Sequence, residues 1–154
     1  MSETLLVHAT AVAIDTAAGL RAVLLRGPSG AGKSDLGLRL IDAGARLIAD
    51  DQSEVSRRED LLIVRSPAAI AGMIEVRGIG IVRVEPLAEA PLVLIVDLAP
   101  PESIERLPNR AIERVLGVDV PRLAVAPFEA SAAAKVALAV RALAGPGVPA
   151  ITTD

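Results

Sequence analysis

The run Gly27-Pro28-Ser29-Gly30-Ala31-Gly32-Lys33-Ser34 matches the pattern G-x-x-x-x-G-K-[ST] in full, a spacing suited to binding a nucleoside triphosphate. Glycines let the chain turn so that successive backbone N–H groups point inward around phosphate oxygens. Lys33 then supplies a compact cation for the β and γ phosphates, and the Ser34 hydroxyl a ligand for the Mg²⁺ that bridges them. Asp50 and Asp51 end a short apolar run further on, where carboxylates can hold Mg²⁺ or accept a proton from an attacking hydroxyl. Adjacent acids on extended backbone point to opposite sides, so one of the two is expected to face the γ-phosphate. Glu75 and Arg77, at i and i+2, fall on one face of a strand; the carboxylate could complete a metal site and the guanidinium could hold phosphate charge. Taken alone, that pair reads more readily as a surface ion pair, and His8, inside an apolar run, reads as a core histidine.

The glycine loop works only between a strand and a helix, whose N-terminus adds its dipole. Residues 20–26 are aliphatic and run straight into the loop, and residues 33–43 read as a helix closed by Gly44. Residues 5–14 predict one preceding strand, joined by a hairpin turn over 15–19. Residues 46–49 predict a buried strand leading into the two acids, followed by a charged hairpin of 52–58 and 61–65 turned at Glu59-Asp60. A helical turn over 67–71, short strands at 73–76 and 79–84 around Arg77-Gly78, and a buried strand at 92–97 come next. The pattern then predicts helices over 100–106 and 110–116, the second stopped by Gly117, a last strand at 121–127 and a terminal helix over 130–143 packed on the sheet. The predicted class is α/β, a mixed sheet with hairpins and flanking helices.

With 154 residues, 52% of them hydrophobic, the chain fits a single domain over residues 1–144, and the Gly-Pro-Gly segment that follows predicts a flexible tail over 145–154. Aromatic residues make up 1% and the net charge is −3, which removes the stacking platforms and basic footprint of a nucleic-acid binder. With no cysteine and a single histidine, any metal must be held by oxygen. The N-terminus lacks a basic leader and no apolar run is long enough to span a bilayer, so a cytoplasmic protein without membrane association is expected.

The order His8, then the loop 27–34, then Leu47-Ile48-Ala49-Asp50-Asp51, then Ile74-Glu75-Val76-Arg77-Gly78-Ile79-Gly80-Ile81 resembles the catalytic domain of bacterial HPr kinase/phosphorylase, from about residue 8 to about residue 127. The resemblance implies a P-loop fold like that of phosphoenolpyruvate carboxykinase, usually a hexamer, that uses ATP and Mg²⁺ to phosphorylate a serine of HPr or an HPr-like phosphocarrier of a phosphotransferase system. By position, it implies Lys33 as the phosphate-binding lysine, Ser34 and Glu75 as Mg²⁺ ligands, Asp51 as the base with Asp50 beside it, His8 as the active-site histidine, and Arg106 as a later arginine, with Arg77 or Arg106 stabilising transferred charge. The chain begins near the start of the resemblance, so the family's N-terminal domain is expected to be missing. The segment 84–91 is short where the family has a longer loop, and Pro127-Phe128-Glu129-Ala130 stands where it has Pro-Gly-Arg-Asn, a stretch tied to the reverse reaction; phosphorolysis is therefore expected to be weak or absent. Two rivals remain: a non-catalytic nucleotide-binding regulatory domain, which would bind Mg-ATP without transfer, and a small-molecule kinase, for which the short loops offer little lid.

Overall fold

The computed structural model describes residues 3–144; the tail expected at 145–154 lies outside them. Eleven strands and two α-helices follow in the order β1 (Thr4–Val7), β2 (Ala9–Thr16), β3 (Gly19–Arg26), α1 (Lys33–Asp42), β4 (Arg46–Ala49), β5 (Ser53–Arg58), β6 (Leu61–Arg65), β7 (Met73–Val76), β8 (Gly80–Arg83), β9 (Glu89–Leu98), β10 (Ala111–Val115), β11 (Val118–Val125) and α2 (Ala132–Leu143). β9 organises the whole. It pairs antiparallel with β6 through residues 89–91, parallel with β3 through 92–97, and parallel with β11 through 95–98. From β3 the sheet continues through β2 to β4, from β6 through β5 to β1, and from β11 to β10, while β7 and β8 form a separate hairpin.

Side chains alternate across these strands and so build two cores. Ala11, Ala22, Leu24, Ile48, Val55, Leu62, Val64 and Ile95 fill the space on one side, against the β5–β6 arm. Val12, Val23, Leu25, Leu94 and Val96 face the other way and meet Leu36 and Leu40 of α1 and Val136 and Val140 of α2. With almost no aromatic side chains, both layers interlock through branched aliphatics, and alanines let the elements approach closely. Gly37 on α1 belongs to this close approach, since a Cβ there would come within 3.1 Å of Thr10 Cγ2 on β2. The helix ends as expected: Gly44, at φ 110, donates to the Ile41 carbonyl and Ala45 to that of Leu40, the paired bonds of a glycine-terminated helix.

Three expectations are corrected. Residues 5–14 are two strands rather than one, because the chain breaks at His8 and sends β1 to pair with β5 while β2 pairs with β3 and β4. Residues 110–116, expected to be helical, form β10, and Leu116 (φ 48) with Gly117 (φ 83) makes a two-residue turn into β11, where positive φ at both positions suits the strand twist. The helix expected at 100–106 shrinks to a single tight turn, Pro101–Ser103, because Pro100 and Pro101 fix its entry and Pro108 follows close behind. The remaining elements form within a few residues of their expected bounds, and the α/β class with hairpins and flanking helices is the one observed.

Candidate functional site at the glycine loop

β3, β9 and β11 run parallel, so their carboxyl ends lie together on the side where the glycine loop leaves β3. The loop bends through Gly30 (φ 83) and Gly32 (φ 100), and Gly32 starts α1. Gly27 is needed for room, as a Cβ there would meet that of Ala31 at 3.0 Å. The first N–H groups of α1 have no partner inside the helix and join the loop as donors for an anion. A cavity of about 690 Å³ opens over this ground, lined by Ser29, Gly30, Gly32, Lys33, Ser34 and Asp35 on the loop side. Asp51, Glu75, Arg77 and Phe128 complete its polar and aromatic lining.

Lys33 is only 5% exposed, and its ammonium donates to the carbonyls of Gly27 (2.7 Å) and Pro28 (3.2 Å). It also stands 3.5 Å from Asp51 Oδ1. The same Asp51 oxygen accepts a hydrogen bond of 2.8 Å from His8 Nε2, so the break between β1 and β2 places the histidine against the acid. Both side chains are about half exposed. Asp50, by contrast, is 8% exposed and saturated. Its Oδ1 accepts from Thr10 Oγ1 at 2.9 Å and from Ser34 Oγ at 2.6 Å, and its Oδ2 from the Glu75 amide at 3.0 Å. Simple strand alternation does not separate the two acids, because Asp51 turns to φ 68. Asp50 lies beneath the loop, and Asp51 alone of the pair lines the cavity.

Glu75 lies in β7 as expected, next to its last residue Val76, whereas Arg77 lies past the strand in the β7–β8 turn, and both line the cavity. Arg106 is exposed beyond the Pro101–Ser103 turn and is not part of the cavity lining. Gly27, Pro28 and Ala31 support the loop without lining the cavity. Thr10 escaped the sequence reading. It is fully buried, and besides bonding Asp50 it accepts from the Asp51 amide at 3.0 Å, so one hydroxyl orients both acids. Its signal was a lone polar residue within the apolar run Ala9-Thr10-Ala11-Val12-Ala13-Ile14.

The donors fit a Mg²⁺ carried by a nucleotide better than an ion caged by protein alone. Ser34 gives its proton to Asp50 and keeps oxygen lone pairs for a cation, and Glu75 offers an exposed carboxylate on the same cavity. Among the described residues no group of three or more His, Asp or Glu side chains gathers to hold a metal.

A family model described as the HPr Serine kinase C-terminal domain matches residues 1–144. The chain belongs to that family. The HPr serine kinase relatives include the HPr kinase/phosphorylase of Halalkalibacterium halodurans, 36% identical over 115 residues that make up 67% of this chain and 37% of that protein. The HPr kinase/phosphorylase of Clostridium acetobutylicum is 46% identical over 65 residues, 42% of this chain and 21% of its own length. The matches thus span between about a fifth and little more than a third of the length of these curated relatives. Among solved structures, the Hpr(Ser) kinase/phosphatase of Coxiella burnetii superposes with a TM-score of 0.73 at 28% identity, covering 91% of this chain and 88% of that one. The HPr serine kinase fold therefore accounts for the curled sheet and two helices. Among the described residues no helix is long and apolar enough to cross a membrane.

Proposed function

We propose that the chain transfers the γ-phosphoryl group of ATP to a serine hydroxyl of HPr or an HPr-like phosphocarrier protein. The observation that carries this reading is Asp51: a 54% exposed carboxylate on the cavity rim, 3.5 Å from the loop lysine and hydrogen-bonded to His8. Its exposure leaves it open to a hydroxyl brought by a protein surface, and its neighbours hold it in place. Asp51 accepts the seryl proton as the serine oxygen bonds to the γ-phosphorus and the bond to the β-phosphate oxygen breaks, releasing ADP. Lys33, seated among the loop carbonyls, shifts to the β and γ phosphates, and Arg77 in the β7–β8 turn draws charge from the transferring group. Ser34 and Glu75 would hold Mg²⁺, which neutralises charge on the β and γ phosphates when bound. Asp50 fixes the Ser34 hydroxyl and the Glu75 amide, and so sets the spacing between the loop and β7.

The family relation and the cavity both support a catalytic reading, and no observation favours the regulatory alternative. The test is incubation with γ-labelled ATP, Mg²⁺ and the HPr-like proteins of the source cell. Acid-stable label on one of them, lost with Asp51→Asn while nucleotide binding persists, is the expected result. Transfer at the wild-type rate by that variant would show that another group is the base, and nucleotide binding without label on any partner would favour a sensor. Assembly as a hexamer is proposed from the resemblance alone, and light scattering giving the mass of one chain would refute it.

A further inference from the structure

Phe128 is the single aromatic residue of the chain, and it is 72% exposed. Exposure alone says little, since lone apolar side chains are common on protein surfaces. Its place says more. Phe128 lines the phosphate cavity, and its ring edge rests on the loop: a Cβ built on Gly32 would come within 3.0 Å of Phe128 Cζ and 3.1 Å of Cε1. The backbone bearing the ring is pinned on both sides. Arg39 of α1 donates to the carbonyl of Pro127 and, at 3.3 Å, to that of Glu129, the residues flanking Phe128. The Glu129 side chain is held in turn by Lys135 of α2 at 3.1 Å. The ring is thus open to the cavity on a segment tied to both helices.

The reactive end of a bound nucleotide is placed by Lys33, Ser34 and Asp51, and its base lies at the opposite end of the phosphate chain. The apolar lining available to that base consists of Phe128 with the aliphatic Leu38, Val76, Ile79 and Ile81. Only the phenyl ring offers a π face, and one ring suffices for one base, although it is too little for a nucleic-acid surface. We infer that Phe128 is the platform on which the base of the nucleoside triphosphate stacks, an inference that rests on the phosphate-binding reading of the loop. Every base has a π face, so the platform accepts several nucleotides and favours purines through their larger overlap.

The test compares Mg-ATP with Mg-tripolyphosphate, which carries the phosphates without a base, by equilibrium titration of the wild type and of Phe128→Ala, Phe128→Leu and Phe128→Trp. Phe128→Ala is expected to weaken Mg-ATP about tenfold and to leave Mg-tripolyphosphate within about twofold. Phe128→Leu keeps an apolar contact with Gly32 but has no π face, and is expected to follow alanine. Phe128→Trp is expected to hold ATP at least as tightly as the wild type, and its indole, the only one in the chain, to be quenched by ATP and not by tripolyphosphate. Equal losses for both ligands would make Phe128 a mere support for the loop, and no loss for either would also overturn the platform. A wild-type chain that bound neither ligand would remove the phosphate-binding reading itself, and the platform with it.

Discussion

Two charged clusters flank Gly27, and they are built on opposite plans. On the strand side, Arg26 reaches Asp97 with bonds of 2.8 and 3.1 Å and Glu113 with bonds of 2.7 and 2.8 Å, and Arg122 adds 3.3 Å to Glu113. Each carboxylate there faces two guanidinium groups, and the hydrogen bonds hold the Glu113 carboxyl below its ordinary range and raise the Arg26 guanidinium. On the cavity side, Lys33 sits on loop carbonyls, 3.5 Å from an Asp51 that is half open to solvent. The first cluster has its donors matched to its acceptors and ties β3 to β9 and β10 at the root of the loop. The second keeps bonding capacity in reserve. A charged group whose partners are complete serves the fold, whereas one held close to partners yet left accessible is ready to exchange them for a substrate.

Substitutions should separate the plans. Asp51→Asn is expected to lower phosphoryl transfer about 10²–10⁴-fold, with thermal unfolding unchanged, as measured by labelled-ATP kinetics beside calorimetry. Asp50→Ala strands three donors beneath the loop and should cost about 2 kcal/mol or more of stability as well as activity; a denaturant midpoint equal to wild type would show that the buried carboxylate is dispensable. Arg26→Met leaves Asp97 and Glu113 with Arg122 alone and should cost about 1–3 kcal/mol in the same assay, while tripolyphosphate affinity changes little if the cluster acts on the fold.

The acid response is smaller. Glu113 has a folded pKa below its ordinary value of 4.5, chiefly through the Arg26 hydrogen bond, so its contribution is complete above that value and is lost as pH falls through the depressed one. Glu113→Gln should flatten the decline in stability below about pH 4.5 by less than about 1 kcal/mol, given its solvent exposure. Smallest of all, Arg58→Gln breaks a surface pair with Glu89 and should leave the melting temperature unchanged.

The sequence displayed the cavity side of this contrast far better than the strand side. The glycine loop and its lysine are local features, set by residues adjacent in the chain, and the Glu59-Asp60 and Arg77-Gly78 turns were legible for the same reason. The Arg26 cluster joins residues up to 87 positions apart and leaves no local signature. Residues 110–116 misled because their Ala, Ile, Glu, Arg, Val and Leu suit a helix, and Gly117 stops a helix as readily as it turns a hairpin. What decides is pairing with β11, whose other edge is held by β9. Asp50 and Asp51 were visible as a pair. Their division into a buried anchor and an open acid depends on the αL turn at Asp51 and on Thr10, two features of tertiary structure.

The Asp50 carboxylate also bears on the order in which the molecule assembles. It joins Thr10, Ser34 and Glu75, which lie 40, 16 and 25 positions away along the chain, so it cannot be satisfied until three separate segments have docked. Contacts of such span form late, after the entropy of closing each loop has been met. Nucleotide affinity should therefore emerge with the final folding step, and a partly folded chain should be blind to ATP. A ligand that recognises only the finished state draws the population toward it, adding about 2.7 kcal/mol at a hundred times its dissociation constant. The phosphate donor would then also guard the fold that uses it.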